Sequence, residues 1–159
     1  MAQDASDLIF TARPLRPHER KLVFPLVSFR HPALGLKHWT EFTARVERTY
    51  GGGGHLMALI DSRGHFHAVF AFFVEPCLLG APRLRVSHIA SASLAGDAIN
   101  RAFHAALDKL ARDNGCDDIL IEVEGGAGLR GCDERGALER AGFTPTPTAY
   151  LRHARAAPL

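Results

Sequence analysis

The chain has 159 residues, of which 47% are hydrophobic and 23% are charged. This length and composition predict one globular domain, over residues 1–159, that can fold without a disulfide or a metal. A formal net charge of +2, without runs of like charge, argues against a nucleic-acid-binding protein. No apolar run approaches the ~20 residues of a membrane-spanning helix, so no membrane segment is expected.

The N-terminus and the cysteines bear on where the protein works. Residues 1–7 include acids and lack the charged-then-apolar plan of a signal peptide. Cys77, Cys116 and Cys132 are an odd set without a metal-binding spacing, which is typical of reduced thiols in a cytosolic protein. We therefore expect a cytoplasmic protein without a bound metal.

The first part of the chain predicts a strand followed by two helices. Residues 8–12 form a short apolar run that is typical of a strand. Pro17 suits the first turn of a helix, which Pro25 would bend or end. Residues 37–50 predict a second helix, since four apolar residues fall on one face: Trp39, Phe42, Val46 and Tyr50.

Three strands follow, and the turns between them predict an antiparallel meander. Residues 55–61 and 65–75 flank a hairpin turn at residues 62–64, and residues 83–92 form the next strand. The run from 65 to 75 is nearly continuous in apolar residues, so we expect both of its faces to be covered.

A long amphipathic helix is predicted over residues 94–114, with Gly115 as its C-terminal stop. A fifth strand follows at residues 119–123. The order of strand, helix and strand predicts a right-handed crossover with parallel pairing. A short helix at residues 133–141 and an extended segment at residues 143–153 complete the chain.

Two local motifs lie at element boundaries. In the first, residues 93–98, Gly96 and Ala98 are small enough to let the backbone approach a pyrophosphate at a helix N-terminus, which offers unpaired N–H donors. Ser93 is a suitable N-cap, and Asp97 would oppose a phosphate if its side chain pointed inward. The second motif, residues 137–143, contains Glu-Arg-Ala-Gly-Phe and ends a helix at a glycine.

These motifs resemble two signatures of the GNAT superfamily of acyl-CoA N-acyltransferases. Residues 93–98 are similar to Gln/Arg-x-x-Gly-x-Gly/Ala, and residues 137–143 are similar to Leu-Tyr-Glu-Arg-x-Gly-Phe. With the element order, the resemblance covers residues 8–153. It implies an α/β (α+β) fold with a mixed central sheet of about six to seven strands, an antiparallel meander followed by a parallel β-α-β crossover, and helices on both faces.

The resemblance also implies a site for acetyl-CoA as co-substrate. Backbone N–H groups of the fourth strand would contact the acyl carbonyl, and the helix start would hold the phosphates. The implied cofactor-binding residues are Ile89, Ala90, Ser91, Ser93, Gly96, Asp97 and Ala98. The acceptor is an amine of a small molecule or protein, and a homodimer is an expected assembly because dimers are frequent in the family.

Acyl transfer to an amine needs a group that takes up a proton. His88 in the fourth strand and Glu75 at the end of the third are the catalytic candidates, because histidine exchanges protons near neutral pH and a carboxylate can act as a base. Each also has an ordinary structural explanation, and Glu122 with Glu124 is a third option. His65 and His67 share a strand face, but a third metal ligand is not near in sequence.

Several positions depart from the family pattern. Ser93 stands where Gln or Arg is usual, and Leu138 replaces the Tyr that in many members protonates the leaving thiolate. Gly131 takes the place of a frequent Asn, and Asp97 adds a charge to the phosphate loop. The leading hypothesis is an N-acyltransferase that uses acetyl-CoA. The alternative is a catalytically degenerate domain of the same fold that acts as a binding or protein-interaction module.

Overall fold

The computed structural model describes residues 9–50, 55–91, 97–122 and 138–145, with only the backbone at His88 and Asp97. The chain divides into two compact units, Met1–Gly126 and Ala127–Leu159. The first unit contains the sheet and the long helices. The second contributes residues 138–145 and is described by itself.

The first unit follows the predicted order of elements. They are β1 (Phe10–Pro14), a 3₁₀ turn (Pro17–Glu19), α1 (Arg20–Arg30), α2 (Leu36–Tyr50), β2 (Leu56–Asp61), β3 (Phe66–Glu75), β4 (Arg83–Ser91), α3 (Asp97–Asp113) and β5 (Asp118–Glu122). The sheet order is β1-β2-β3-β4-β5, antiparallel from β1 to β4 and parallel between β4 and β5. The predicted meander and parallel crossover are confirmed, and the described residues supply five strands of the expected sheet.

Helix α1 continues through Pro25, so of the two predicted effects, a bend or an end, the proline does not end the helix. A proline removes the N–H that would bind the carbonyl four residues earlier, here that of Lys21. Because Lys21 and Pro25 are both exposed, water can bind that carbonyl.

Within the described residues, no helix combines the length and apolar character needed to cross a membrane.

Helix α2 buries only part of its predicted face. Trp39 and Val46 are buried, and Trp39 Nε1 donates a hydrogen bond to the carbonyl of Arg20 at 2.8 Å. Phe42 and Tyr50 are instead 39% and 42% exposed, whereas Thr43 is fully buried. The buried face of α2 is therefore centred nearer to Thr43 than the four apolar residues alone predicted.

Strand β3 separates two apolar clusters, one on each face of the sheet. On one face, α1 and α2 pack against Val69, Ala71 and Phe73. On the other face, α3 packs against Phe70 and Phe72. Residues 68–73 are all buried, so the prediction that both faces of this strand are covered is confirmed.

Helix α3 ends at Gly115, as predicted. Gly115 has φ 64°, its N–H donates to the carbonyl of Arg112 at 3.2 Å, and the N–H of Cys116 donates to Ala111 at 2.9 Å. This pair of bonds is the Schellman cap, which satisfies carbonyls that the helix end leaves without partners. Cys116 is buried, and burial raises the pKa of its thiol.

The described part of the second unit is a capped helix end. Residues 138–140 are helical, Gly142 has φ 91°, and the N–H of Phe143 donates to the carbonyl of Leu138 at 3.0 Å. The N–H of Gly142 donates to Glu139 at 3.0 Å, which completes the same cap. The predicted stop at Gly142 is confirmed. The predicted start of this helix, Gly131, Cys132, Glu124 and the segment after residue 145 lie outside the described residues.

Candidate functional site

Strand β4 contains a bulge at Ile89. In the register with β3, Ala90 pairs with Val69 and His88 pairs with Phe70, so Ile89 is an extra residue on β4. A bulge interrupts the ladder and leaves backbone polar groups available to other partners. The backbone predicted to contact the co-substrate, Ile89 to Ser91, therefore begins at this bulge. Nothing in the sequence marked it, because Ile89 is an ordinary strand residue.

The parallel pairing of β4 with β5 is described as far as Ser87, two residues before the bulge, because the description of β5 ends at Glu122. It runs from the pair Arg83 and Asp118 to the pair Ser87 and Glu122. In the ranges that the structure describes, no β5 residue pairs with β4 beyond Ser87. Beyond the bulge, Ala90 and Ser91 of β4 pair with Val69 and Ala68 of β3.

His31 approaches the bulge from the helical layer. It follows the last residue of α1, and its Nε2 lies 2.7 Å from the carbonyl oxygen of Ile89. A carbonyl oxygen only accepts, so the ring donates through Nε2–H. Sequence reasoning missed His31, because its partner is 58 residues away and His31-Pro32 had the pattern of an ordinary loop.

Glu75, one of the predicted bases, forms an ion pair. Its Oε1 lies 2.6 Å from Arg85 Nε, at an angle unsuited to a hydrogen bond. Arg85 Nη1 donates to both oxygens of Glu122 at 3.3 and 3.4 Å, and its guanidinium lies over the ring of Phe73. Burial acts to lower the pKa of Arg85, but Glu122 and Glu75 outweigh it, so the pKa is raised.

The structure does not bring Glu75 to the bulge. Glu75 pairs with Arg83, and Ile89 lies six residues further along β4. At ~3.3 Å per residue, this separates their backbones by about 20 Å. Ser87 and Glu122 are nearer, since they are the last described β4–β5 pair, and Ser87 Oγ donates to Glu122 Oε2 at 3.1 Å.

His65 and His67 both bind Asp61. Strand β3 has an extra residue at His67, because Leu59 pairs with Ala68 and Ile60 with Phe66. Asp61 Oδ2 accepts from His65 Nδ1 at 3.2 Å and from His67 Nε2 at 3.0 Å. Burial acts to raise the pKa of Asp61, but hydrogen bonds from His67 and His65 outweigh it and hold the pKa well below its ordinary value.

This arrangement explains the two histidines as partners of a buried carboxylate at a turn. Asp61 Oδ1 also accepts from the N–H groups of Arg63 and His65, both at 2.9 Å, which closes the hairpin. Among the residues with described positions, no group of His, Cys, Asp or Glu is arranged to hold a metal ion.

The start of α3 follows β4 closely. The helix begins at Asp97, and Ala98 is half-buried in its first turn. Ser93, Gly96 and the side chains of His88 and Asp97 lie outside the described part, so the phosphate-loop prediction rests on sequence there. The described helix has 17 residues, and the first N–H groups of an α-helix have no intrahelical partner.

No protein-family model and no curated protein matches this sequence. Solved structures are similar in fold. An aminoglycoside N-acetyltransferase in complex with CoA is 12% identical with a TM-score of 0.69, covering 97% of this chain and 100% of that one. A ribosomal-protein-alanine N-acetyltransferase from Brucella melitensis biovar Abortus 2308 is 15% identical with a TM-score of 0.67, covering 92% and 100%.

A third similar structure is glucosamine-6-phosphate N-acetyltransferase from Arabidopsis thaliana. It is 12% identical with a TM-score of 0.61, and the match covers 91% of this chain and 98% of that one. In all three cases the match covers nearly the full length of both chains, and the sheet of this chain has the expected meander and parallel crossover. The chain therefore has the fold of the GNAT acyl-CoA N-acyltransferases.

Proposed function

We propose that this protein is an N-acyltransferase that moves an acetyl group from acetyl-CoA to an amine of a small molecule or protein. The observation that carries the proposal is the bulge at Ile89, which interrupts the ladder of β4 with β3. Backbone groups that a bulge releases from a ladder can bind an extended ligand and polarise a thioester carbonyl. The similar aminoglycoside N-acetyltransferase, solved with CoA, supports this choice of co-substrate.

The co-substrate would lie along the backbone of Ile89, Ala90 and Ser91, with its phosphates at the start of α3. There the proposed contacts come from Ser93, Gly96, Asp97 and Ala98. The unpaired N–H groups of the helix end suit an anion, and small residues permit its close approach. When bound, acetyl-CoA supplies the activated acyl group, and the protein holds and polarises it.

Of the two bases predicted from the sequence, His88 is the nearer to the bulge. Its backbone adjoins Ile89, whereas Glu75 lies about 20 Å along the sheet and forms an ion pair with Arg85. Glu75 is suited to joining β3 to β4 through its ion pair. Leu138 has no proton to give, so the leaving thiolate would take its proton from water or from the base.

Calorimetric titration with acetyl-CoA at low salt tests the proposal. We expect binding with a micromolar dissociation constant. Gly96→Val should abolish it, because a branched side chain would hold the phosphates away from the backbone. Gly80→Val is the matched control, since Gly80 lies in the β3–β4 turn with open space around it. An absence of heat at millimolar acetyl-CoA, in the parent protein, would end the proposal.

The acceptor can be sought among the amines named for the similar structures. These names point to the alanine of a ribosomal protein, an aminoglycoside and glucosamine 6-phosphate. Product should be followed by mass, because exposed Cys77 would itself react with a thiol reagent. We expect one class to be acetylated faster than acetyl-CoA is hydrolysed, and equal rates for all three would argue against acetyl transfer to any of them.

The alternative proposal is a non-catalytic binding or protein-interaction module with this fold. Leu138 favours it, since the capping bonds of Gly142 and Phe143 account for the Glu-Arg-Ala-Gly-Phe motif without a catalytic role. Asp97→Ala discriminates between the two proposals: if neither parent nor variant binds any acyl-CoA, the non-catalytic module is the better interpretation.

A cytoplasmic location and a homodimer belong to the leading proposal, and sedimentation of the purified protein tests the dimer.

A further inference from the structure

We propose that His31 is the residue that takes the proton from the acceptor amine, a role that rests on the proposed function. The starting point is the 2.7 Å contact between His31 Nε2 and the carbonyl oxygen of Ile89. Because the carbonyl can only accept, the hydrogen is on Nε2. The neutral ring then has its lone pair on Nδ1, so the bond to the bulge selects the nitrogen that acts as base.

His31 is anchored at three atoms. Its N–H donates to the carbonyl of Val27 at 2.9 Å, and its own carbonyl accepts from the N–H of Leu34 at 2.9 Å. The ring Nε2 is the third, through Ile89. The residue is half-buried, and within the described ranges Nδ1 makes no hydrogen bond to the protein. A ring that is fixed in position, with one nitrogen open, has the arrangement that a general base requires.

The two substrates would reach the bulge from opposite faces of the sheet. Ile89 packs against the cluster that α1 and α2 cover, whereas α3, whose start would hold the phosphates, covers the other face. His31, at the end of α1, is therefore on the face away from α3. An amine that enters on this side would reach the His31 ring, whose Nδ1 faces away from the Ile89 carbonyl, so the amine proton would pass to Nδ1 through a water.

Glu122 adds a carboxylate on the neighbouring strand. It accepts from Ser87 Oγ and Arg85 Nη1, and Ser87 lies two residues before Ile89 on β4. Arg85 also forms an ion pair with Glu75, so its single positive charge is shared and neutralises Glu122 only in part. The remaining negative charge favours an amine that arrives as a cation, releases one proton to water and then attacks in its neutral form.

In the proposed step, the amine nitrogen forms a bond to the acyl carbon and its proton moves to His31 Nδ1. The carbon–sulfur bond breaks, and its electron pair leaves on sulfur. The proton then passes from His31 through water to the thiolate, which restores the neutral ring. The products are the N-acetylated amine and the CoA thiol, and no further reactant is needed. This route supplies the proton that Leu138 cannot.

Two substitutions of His31 distinguish a role as base from a purely structural role. His31→Gln keeps an N–H donor for the Ile89 carbonyl but cannot take up a proton, whereas His31→Ala loses both. We expect His31→Gln to bind acetyl-CoA as the parent does and to lose about 10²-fold in kcat with the best amine of the acceptor panel. His31→Ala should also bind acetyl-CoA more weakly, because the bulge loses its support. Exposed His18→Gln, on the 3₁₀ turn, is the matched control.

Long-range ¹H–¹⁵N spectra of the ligand-free protein at pH 8 give a readout that does not depend on turnover. We expect His31 as the neutral Nε2–H tautomer, and an Nδ1–H tautomer would overturn the proposal. Full activity in His31→Gln, or a loss confined to His88→Gln, overturns it while acetyl transfer stands. Failure of the parent protein to bind acetyl-CoA removes the proposed function and this inference with it.

Discussion

Glu19 is a buried carboxylate whose charge depends on one arginine. Arg13 Nη1 and Nη2 donate to its two oxygens at 2.8 and 2.6 Å, and the N–H of Arg16 donates at 2.9 Å. Hydrogen bonding from Arg13 lowers the pKa of Glu19 to about 2, against burial, which acts to raise it. The pair joins β1 to the 3₁₀ turn that precedes α1, so its charge contributes to the position of that helix.

Glu19→Gln should destabilise the fold in a pH-dependent way. Because the pKa of Glu19 is lower in the folded than in the unfolded chain, the stabilisation is fully present above about pH 4.3. It is lost as the pH falls toward 2. We expect a loss on the order of 3 kcal/mol in the free energy of unfolding at pH 7. Urea unfolding at pH 7, 4 and 3 should show this difference shrinking with acid. Glu41→Gln, on the exposed side of α2, is the control, and a difference constant with pH would contradict the argument.

Single residues were the hardest feature to predict from the sequence. The candidates His88 and Glu75 were chosen by residue type and position, but side-chain partners depend on strand register. Glu75 and Glu122 both contact Arg85 only because β3, β4 and β5 are neighbours. The contact of His31 with Ile89 requires both a bulge and the end of α1, and neither leaves a periodic pattern.

Helices and strands were predicted well where a periodic pattern of apolar residues ended at a glycine or a turn. The amphipathic stripe and Gly115 placed α3, whose predicted start at Leu94 lies outside the described residues. The alternation and turns placed β2 to β5 within one or two residues of their observed bounds. Periodicity failed at Ile89, because a bulge changes register without changing composition.

Gly115→Ala should weaken the end of α3. At φ 64° a side chain is strained in the left-handed region, and no atom lies within 4 Å of the added Cβ, so the backbone alone sets the cost. We expect a loss of about 1 kcal/mol. Gly80→Ala is the matched control, because it has equal space and no positive φ. The midpoints of guanidinium unfolding would compare the two variants. Equal losses of stability would show that the left-handed conformation of Gly115 is not the cause of the loss.

At the scale of the molecule, the sheet couples two cores. The cluster under α1 and α2 and the cluster under α3 are both built on β3, whose alternate residues face opposite sides. The continuous apolar run predicted this two-sided burial, and with the strand order it was sufficient for the fold. The resemblance of two short motifs supplied the functional hypothesis, which composition and periodicity alone would not have given.

Because both cores share β3, they should unfold as one cooperative unit. Phe70 is fully buried on the α3 face, with its ring 5.2 Å from that of Phe103 at 85°. Phe70→Leu should cost about 1–2 kcal/mol by lost packing. Native-state hydrogen exchange should then show the same decrease in protection for the slowest amides of α1, on the opposite face, as for those of α3. Phe42→Leu, at a half-exposed site of α2, should change neither. A decrease limited to α3 would mean that the two faces open separately, with β3 and the α1 layer staying folded.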